Sequence, residues 1–222
     1  LERDLLVRLP AAYDPRRPYP LVLAFHGRTN SNAEAARYYG LEDAGAEAVY
    51  VYPAGVPVAG GYTWTADGDG LAFFDALLNT LAGAYCTDLG RVFAVGHSLG
   101  ASYVNALGCA RGEVLRGVAA VAGGRPYGPC RGKTAALLVH NPEDDLVPFA
   151  EGLAARDSFL AQNELGGPGV PSEPGFLGCE RYGRADAPFP VVWCPHDIDE
   201  GPGGARYPHT WPEGTGDAVM AF

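Results

Sequence analysis

Short, continuous runs of apolar residues recur along this chain, separated by helix-like segments and by loops rich in glycine and proline. Apolar runs of about five residues, spaced by helices, are typical of parallel strands that are buried on both faces of a sheet. A first run at 5–9 alternates weakly and predicts an edge strand. The continuous runs lie at 21–25, 48–52, 91–95, 117–122, 135–140 and 190–194. Together they predict a mostly parallel sheet.

Apolar residues spaced at i, i+3 and i+4 predict helices between these strands. The predicted helices cover 71–85, 99–110 and 149–162, with the start of another at 216–222. The segment 166–175 is rich in Gly and Pro and is expected to be a loop. Because the chain has no internal repeat and no interdomain linker, we expect residues 1–222 to form one α/β domain with helices on both faces of the sheet.

Composition narrows the class of protein. With 222 residues, 47% hydrophobic and 19% charged, the chain can bury a large core and is not of the disordered class. No apolar run approaches the roughly 20 residues that span a bilayer, and the start, Leu1-Glu2-Arg3-Asp4, does not resemble a signal peptide. A net charge of −10 argues against nucleic acid or an anionic membrane as a partner; it is typical of soluble extracellular enzymes, although cytosolic proteins carry such a charge too.

The pentapeptide Gly96-His97-Ser98-Leu99-Gly100 stands between the strand predicted at 91–95 and the helix predicted at 99–110. This strand, turn and helix context is what a nucleophile elbow requires. The serine must occupy a strained corner of the backbone, where side chains two residues before and after it would collide, so glycine is needed at both positions. The pattern therefore predicts that Ser98 is a nucleophile.

A serine nucleophile needs a base, and the base needs an orienting carboxylate. In the α/β-hydrolase arrangement the acid and then the histidine follow the serine along the chain, each after a later strand. The acid candidates after the strand at 135–140 are Glu143, Asp144 and Asp145.

Candidate bases are fewer. Of the five histidines, His26 and His97 precede the acid, and His140 ends a predicted strand. His196 and His209 remain, and spacing alone does not choose between them.

Two local patterns resemble known hydrolase motifs and make that choice. Residues 140–149, HNPEDDLVPF, resemble the H-G-x-x-D-x-x-V-P-[YF] pattern of this hydrolase superfamily, which selects Asp144, although Asn141 replaces its glycine. Residues 208–212, PHTWP, resemble the G-G-H-x-W-P of secreted esterases and polyester depolymerases, which selects His209. Here the two glycines stand earlier, at 203–204.

An acyl-transfer site also needs two amide donors for the oxyanion. One is expected to be the amide of Leu99, which follows the nucleophile at the start of a helix. The other is expected in the loop after the strand at 21–25, where His26-Gly27-Arg28 supplies the Arg28 amide.

Several segments now follow one another in a recognisable order: 19–29 (YPLVLAFHGRT), 51–55 (VYPAG), 85–88 (YCTD), the elbow, and 209–212 (HTWP). As a set they resemble the feruloyl esterases of the family-one carbohydrate esterases and their poly(3-hydroxybutyrate) depolymerase-like relatives. The resemblance implies an α/β-hydrolase fold, hydrolysis of hydroxycinnamate esters of plant cell-wall arabinoxylan, secretion, and no metal or other cofactor. Residues 67–70, DGDG, resemble part of a calcium loop, but a polar turn that caps a helix is the expected role.

Aromatic side chains near the proposed active edge could line an acyl pocket, and Trp64 is the first choice for contact with a ring. Packing of the loops is an equally good explanation for each of them. The candidates are Tyr62, Trp64, Phe149 and Trp211.

The cysteines suggest disulfides. Cys86 precedes the elbow strand and Cys109 ends the elbow helix, so both are expected at the edge opposite the active site and are predicted to pair. Cys130 is then expected to be unpaired at the active edge.

Cys179 and Cys194 can pair if 176–182 forms a hairpin with 190–194, and the resemblance to secreted esterases makes that pairing plausible. Five reduced thiols are the alternative.

We therefore expect a secreted, monomeric serine esterase that acts on feruloylated polysaccharide or another aromatic ester, without a nucleic-acid or membrane partner. A polyester depolymerase or an acetylxylan esterase would use the same triad. A non-catalytic carbohydrate-binding relative is disfavoured by the complete set Ser98, Asp144 and His209, and a peptidase by the lack of a gating domain.

Overall fold

The computed structural model of the protein describes residues 3–222, so Leu1 and Glu2, part of the expected domain, lie outside the described residues. The strands are β1 (Leu5–Arg8), β2 (Tyr19–Phe25), β3 (Val49–Pro53), β4 (Val56–Val58), β5 (Gly61–Thr63), β6 (Thr87–His97), β7 (Leu115–Val121), β8 (Ala135–His140), β9 (Val170–Pro171), β10 (Glu180–Tyr182) and β11 (Val191–Pro195). The helices are α1 (Asn32–Tyr38), α2 (Gly68–Ala84), α3 (Leu99–Ala110), α4 (Phe149–Asn163) and α5 (Thr215–Ala221). Short 3₁₀ turns lie at Gly175–Leu177 and Pro202–Gly204.

Within residues 3–222, nine strands form one sheet in the order β1-β3-β2-β6-β7-β8-β11-β10-β9. The strands from β3 to β11 in that order are parallel, and β1, β10 and β9 add to the edges in antiparallel fashion. The predicted α/β-hydrolase fold class is confirmed. No helix in the described residues has both the length and the apolar character needed to cross a membrane.

Successive strand residues point to opposite faces of the sheet, which explains why the strand runs are apolar throughout. Leu21, Leu23 and Phe25 of β2 pack in one core cluster beneath α2, α3 and α4, whereas Val22 and Ala24 pack in a second cluster with α1 and α5. The parallel strands therefore end together at one edge, and their loops converge there.

Several local elements were missing from the sequence prediction, including the two-residue strand β9 inside the loop expected at 166–175. Helix α1 begins with a capping box. The backbone amide of Glu34 donates to the Ser31 hydroxyl, and the backbone amide of Ser31 donates to the Glu34 carboxylate. The hairpin β4–β5 turns at Ala59 and Gly60, and both Gly60 and Gly61, the first residue of β5, have positive φ. Both signals stand in the sequence as S-x-x-E and Gly-Gly.

The predicted Cys86–Cys109 disulfide is wrong, because Cys109 bonds to Cys130. Loop 122–134 leaves the active edge after β7 and returns across the sheet without a helix, so that β8 can start parallel to β7. This path carries Cys130 to the edge opposite the active site, where the Arg131 amide donates to the Cys109 carbonyl at 2.7 Å. Cys86 has no disulfide partner among the described residues.

The structure joins Cys179 to Cys194, the other pair suggested by the sequence. The hairpin on which that suggestion depended is present, with β10 antiparallel to β11. The bond fixes the antiparallel edge of the sheet to the last parallel strand.

Candidate active site

The elbow forms where β6 ends and α3 begins. Ser98 has φ 59° and ψ −123°, a left-handed conformation that is rare for a residue with a side chain. Its amide donates to the Val121 carbonyl of the neighbouring strand at 2.9 Å. The side chain of Ser98 therefore stands at the active edge, where it is half-buried and open to a ligand.

The two glycines of the pentapeptide are required by close backbone contacts. A Cβ at Gly96 would lie 2.5 Å from the carbonyl carbon of Gly100. A Cβ at Gly100 would lie 2.0 Å from the carbonyl oxygen of Phe25 on the adjacent strand. Both distances are far below ordinary van der Waals contact, so the elbow closes only with glycine at these positions.

The structure brings Ser98, His209 and Asp144 into one hydrogen-bonded chain. The distance from His209 Nε2 to Ser98 Oγ is 2.7 Å, and that from His209 Nδ1 to Asp144 Oδ2 is also 2.7 Å. Since a carboxylate only accepts, Nδ1–H donates to Asp144 and the Nε2 lone pair faces the Ser98 hydroxyl. This tautomer is the one a general base needs.

Asp144 is held as a carboxylate by several donors. Its Oδ1 accepts from the backbone amides of Leu146 and Val147, each at 2.9 Å. Burial by itself would raise the pKa of Asp144, but the hydrogen bonds from His209 and from these amides outweigh it and lower the pKa. The carboxylate is therefore charged at neutral pH and can stabilise an imidazolium at His209.

The competing acid and base candidates lie elsewhere. Asp145 and Glu143 are exposed, and Glu143 forms an ion pair with Arg206. His196 is buried, and its Nδ1 has no hydrogen-bond partner among the described residues. Burial and the neighbouring His140 lower the pKa of His196 to about 4, so it is uncharged at neutral pH.

His26 and His140 have structural partners. The Gly55 amide donates to His26 Nε2 at 2.9 Å, and His140 Nε2 lies 2.9 Å from the carbonyl oxygen of Val147 in the acid's own turn.

Both proposed oxyanion donors adjoin the serine. The Leu99 amide opens α3, and a Cβ at Gly27, next to Arg28, would lie 3.4 Å from the Cβ of Ser98. Neither the Leu99 nor the Arg28 amide donates a hydrogen bond to another group in the described part of the chain. The Arg28 carbonyl is fixed by the Tyr62 amide at 2.8 Å, which orients this loop.

Trp64 occupies the core. Its side chain is 5% exposed, its Nε1 donates to the His26 carbonyl at 2.8 Å, and its ring stacks on Tyr103 with centroids 5.5 Å apart. These contacts favour the packing role over contact with a substrate ring. The indole supports the loop that carries the proposed oxyanion donor.

Tyr62 and Phe149 are half-buried and also have aromatic neighbours. The Tyr62 ring lies edge-on to His26 with centroids 4.9 Å apart, and the Phe149 ring lies 5.5 Å from that of Trp193. Neither residue lines the main cleft described next, so their part in substrate binding stays a prediction.

A cleft of about 1140 Å³ adjoins the elbow on the side of α1 and α5. The half-buried Trp211 lines it, as do Tyr38, Tyr207 and His97. The remainder of its lining mixes apolar residues, among them Ile198 and Pro212, with charged residues of both signs: Arg37, Asp43, Glu200, Arg206, Glu213 and Asp217. Neither Tyr38 nor helix α1 was predicted from the sequence. The capping-box pattern at Ser31 and Glu34 was the signal that could have revealed both.

In residues 3–222 no group of three or more His, Cys, Asp or Glu side chains is arranged to hold a metal ion. The acidic turn at 67–70 is a helix cap: Asp67 accepts from the amides of Asp69 and Gly70, each at 3.2 Å, at the start of α2.

The chain is similar to known esterases, although no protein-family model matches it. It is 29% identical over 219 residues to feruloyl esterase D of Neurospora crassa, covering 90% of this chain and 74% of that protein. It is 31% identical over 199 residues to a probable feruloyl esterase C of Aspergillus flavus, covering 81% of this chain and 72% of that one. The acetyl xylan esterase from Aspergillus awamori has the same fold, with a TM-score of 0.68 at 13% identity over 97% of this chain and 92% of that one.

Proposed function

Because this chain belongs to the feruloyl esterase family of carboxylic ester hydrolases, we propose that it hydrolyses feruloyl (hydroxycinnamoyl) esters of plant cell-wall polysaccharide through an acyl-enzyme on Ser98. The observation that carries the proposal is the unbroken hydrogen-bonded chain from Asp144 through His209 to Ser98. Family membership supports the ester chemistry, and the geometry supports the assignment of the three roles.

In the first half-reaction the Ser98 oxygen attacks the ester carbonyl carbon while His209 Nε2 takes the hydroxyl proton. The tetrahedral intermediate then collapses, the bond from carbon to the alcohol oxygen breaks, and His209 returns its proton to that oxygen. Asp144 keeps the His209 ring oriented and stabilises its transient positive charge. The products of this stage are the free alcohol and a feruloyl ester on Ser98.

The negative charge on the intermediate's oxygen falls to the amides of Leu99 and Arg28. Their lack of partners among the described residues leaves both N–H groups available for it. A donor that is aimed in advance at the developing charge contributes on the order of 10²- to 10³-fold to turnover. Deacylation repeats the cycle with water, from which His209 takes the proton, and releases ferulate.

The cleft of about 1140 Å³ reaches the elbow through His97, although neither Ser98 nor His209 lines it, so its volume does not set the size of the ester. The disulfides Cys109–Cys130 and Cys179–Cys194 support secretion, because such bonds persist in oxidising compartments.

The proposal is tested by Ser98→Ala, with Ser158→Ala on α4 as the matched control. Hydrolysis of methyl ferulate is expected to fall by at least ~10³-fold in Ser98→Ala, since the nucleophile is removed, and to stay unchanged in Ser158→Ala. Undiminished hydrolysis by Ser98→Ala would overturn the mechanism.

Substrate class is decided by products released from wild-type enzyme. Ferulate released from feruloylated arabinoxylan is the expected result. Faster release of acetate from acetylated xylan, or of 3-hydroxybutyrate from its polyester, would retain the triad and reject the feruloyl substrate.

A further inference from the structure

His97, the second residue of the pentapeptide, makes contacts that the mechanism above does not use. Its side chain is 6% exposed. Nε2 lies 3.1 Å from the carbonyl oxygen of His209, and Nδ1 lies 3.2 Å from the hydroxyl of Tyr38 on α1. One imidazole thus connects the elbow, the first helix and the backbone of the proposed base.

The partners of His97 fix its protonation state. A carbonyl oxygen only accepts, so Nε2 carries the proton and donates to His209, and Nδ1 accepts from the Tyr38 hydroxyl. Burial, followed by the nearby His209, lowers the pKa of His97 to about 3. The ring is therefore a neutral group with a fixed tautomer throughout the working range of an esterase.

These same bonds prevent His97 from moving protons for Ser98. Both of its ring nitrogens are engaged, and its ring centroid stands 5.1 Å from that of His209 without a direct bond between the rings. The His97 ring instead bonds to the main chain of His209.

This hydrogen bond matters because few other contacts hold the main chain at His209. The residue lies in a loop between the Pro202–Gly204 turn and α5. Among the described residues, neither its amide nor its carbonyl has a hydrogen bond apart from the one from His97. A shift of the base by about 1 Å is enough to lower the rate on the order of 100-fold. A loop free to move by that much would therefore slow the reaction.

We propose that Tyr38 and His97 form a positioning pair, in which the neutral imidazole, oriented by the tyrosine hydroxyl, holds the carbonyl of His209 and so aims the base at Ser98. The inference rests on the proposed triad. It adds a reason for a histidine at this place in the pentapeptide, which the elbow geometry alone does not require.

Three variants test the pair. His97→Leu retains an apolar bulk but loses the donor, and His97→Gln retains an amide that can donate to the His209 carbonyl. Tyr38→Phe leaves His97 in place without the hydroxyl that orients it. With methyl ferulate we expect kcat to fall roughly 10- to 100-fold in His97→Leu and about 3- to 10-fold in Tyr38→Phe, with KM within about twofold of wild type. His97→Gln is expected to recover most of the loss.

The measurement is kcat per active site, counted by titration with a fluorophosphonate, alongside the thermal unfolding midpoint. A purely structural role for His97 would lower the unfolding midpoint and the number of active sites but leave kcat per site unchanged, and that result would overturn the inference. If His97→Leu does not fold, equal kcat per site in Tyr38→Phe, His97→Gln and wild type overturns it instead. Should Ser98→Ala remain active, the triad itself fails; an inactive Ser98→Ala beside a fully active His97→Leu removes this inference alone.

Discussion

The elbow and the loop that carries the proposed base meet at two hydrogen bonds, one between Ser98 and His209 Nε2 and one from His97 to the His209 carbonyl, but different forces hold the two regions in place. The elbow is fixed by main-chain sterics and by the Ser98 amide on Val121. The base loop is held mostly by side chains: His97 on its backbone, and the Trp211 ring stacked on Tyr39 with centroids 4.1 Å apart.

This difference predicts two kinds of response to change. Main-chain contacts inside a close-packed sheet cannot relax, so damage to the elbow is expected to be all or none. Side-chain contacts are separable, so damage to the base loop is expected to be graded and to reach activity before stability. The experiments below probe that contrast, from the largest expected effect to the smallest.

Gly100→Ala is expected to have the largest effect. The new Cβ would lie 2.0 Å from the carbonyl oxygen of Phe25 in the centre of the sheet, and neither backbone can move away. We expect a loss of more than about 4 kcal/mol in unfolding free energy, or no soluble protein, measured by urea denaturation. Gly83→Ala near the end of α2 is the control: nothing lies within 4 Å of its Cβ, so it should stabilise by up to about 1 kcal/mol. A folded Gly100→Ala of normal stability would show that the elbow relaxes.

The disulfides compare the two regions at a second level. Cys109–Cys130 braces the far end of the elbow helix, and Cys179–Cys194 braces the strand that leads into the base loop. With sequence separations of 21 and 15 residues, removal of either pair by double Cys→Ala substitution should cost about 3 kcal/mol.

Activity separates the pairs. Near the unfolding midpoint, the variant that lacks Cys179–Cys194 should lose hydrolysis of methyl ferulate before its circular dichroism changes. The one that lacks Cys109–Cys130 should lose both together. Identical behaviour of the two variants would contradict the contrast between the regions.

Acid tests one buried histidine from each region. Burial is the main cause that lowers the pKa of His97 in the elbow to about 3 and of His196 after β11 to about 4. Below pH 6.5 these histidines become protonated in the unfolded chain but stay neutral in the folded protein. The unfolding free energy must therefore fall as the pH falls. We expect a loss on the order of 1 kcal/mol per pH unit for each histidine, between pH 6.5 and about 4. The lowered pKa of Asp144 adds a loss in the same direction at still lower pH.

Urea denaturation at pH 7, 5.5 and 4.5 measures this slope. His196→Gln should reduce the slope, because the unfolded chain then binds one proton fewer on acidification. The substitution leaves the elbow untouched. An unchanged slope in that variant would mean that His196 does not contribute to acid sensitivity.

The reach of sequence reasoning follows the same divide. The buried strands and the elbow were predicted because their signals are local: a continuous apolar run, and glycine on both sides of Ser98. Asp144 and His209 were selected by their order after Ser98 and by short flanking motifs, and in the structure His209 bonds to Ser98 and Asp144 bonds to His209. Each of these signals lies within a few residues of what it predicts.

The errors came from segments whose path the sequence does not state. Cys130 was misplaced because the course of loop 122–134 depends on where β8 must start. Trp64 was the first choice for contact with a substrate ring, with loop packing as the equal alternative, because nothing in its neighbouring residues reveals the contacts with Tyr103 and His26 that bury it. The link from His97 to Tyr38 spans 59 residues and joins two elements, one of them an unpredicted helix. Contacts between a loop and a distant side chain are fixed only by the assembled fold.

The smallest effect is expected at Arg206, which is exposed on the base loop. It forms ion pairs with Glu143 in the acid's turn and with Asp199 at 2.9 Å. Water screens such pairs, so Arg206→Gln should change the unfolding free energy by less than about 1 kcal/mol and kcat/KM by less than about twofold. Arg184→Gln, which breaks the exposed pair with Asp186 in the loop between β10 and β11, is the matched control. Suppose instead that kcat/KM falls tenfold in Arg206→Gln alone and that 1 M salt produces the same fall in wild type. Surface charge would then also orient the base, and the loop would depend on more than the packed contacts of His97 and Trp211.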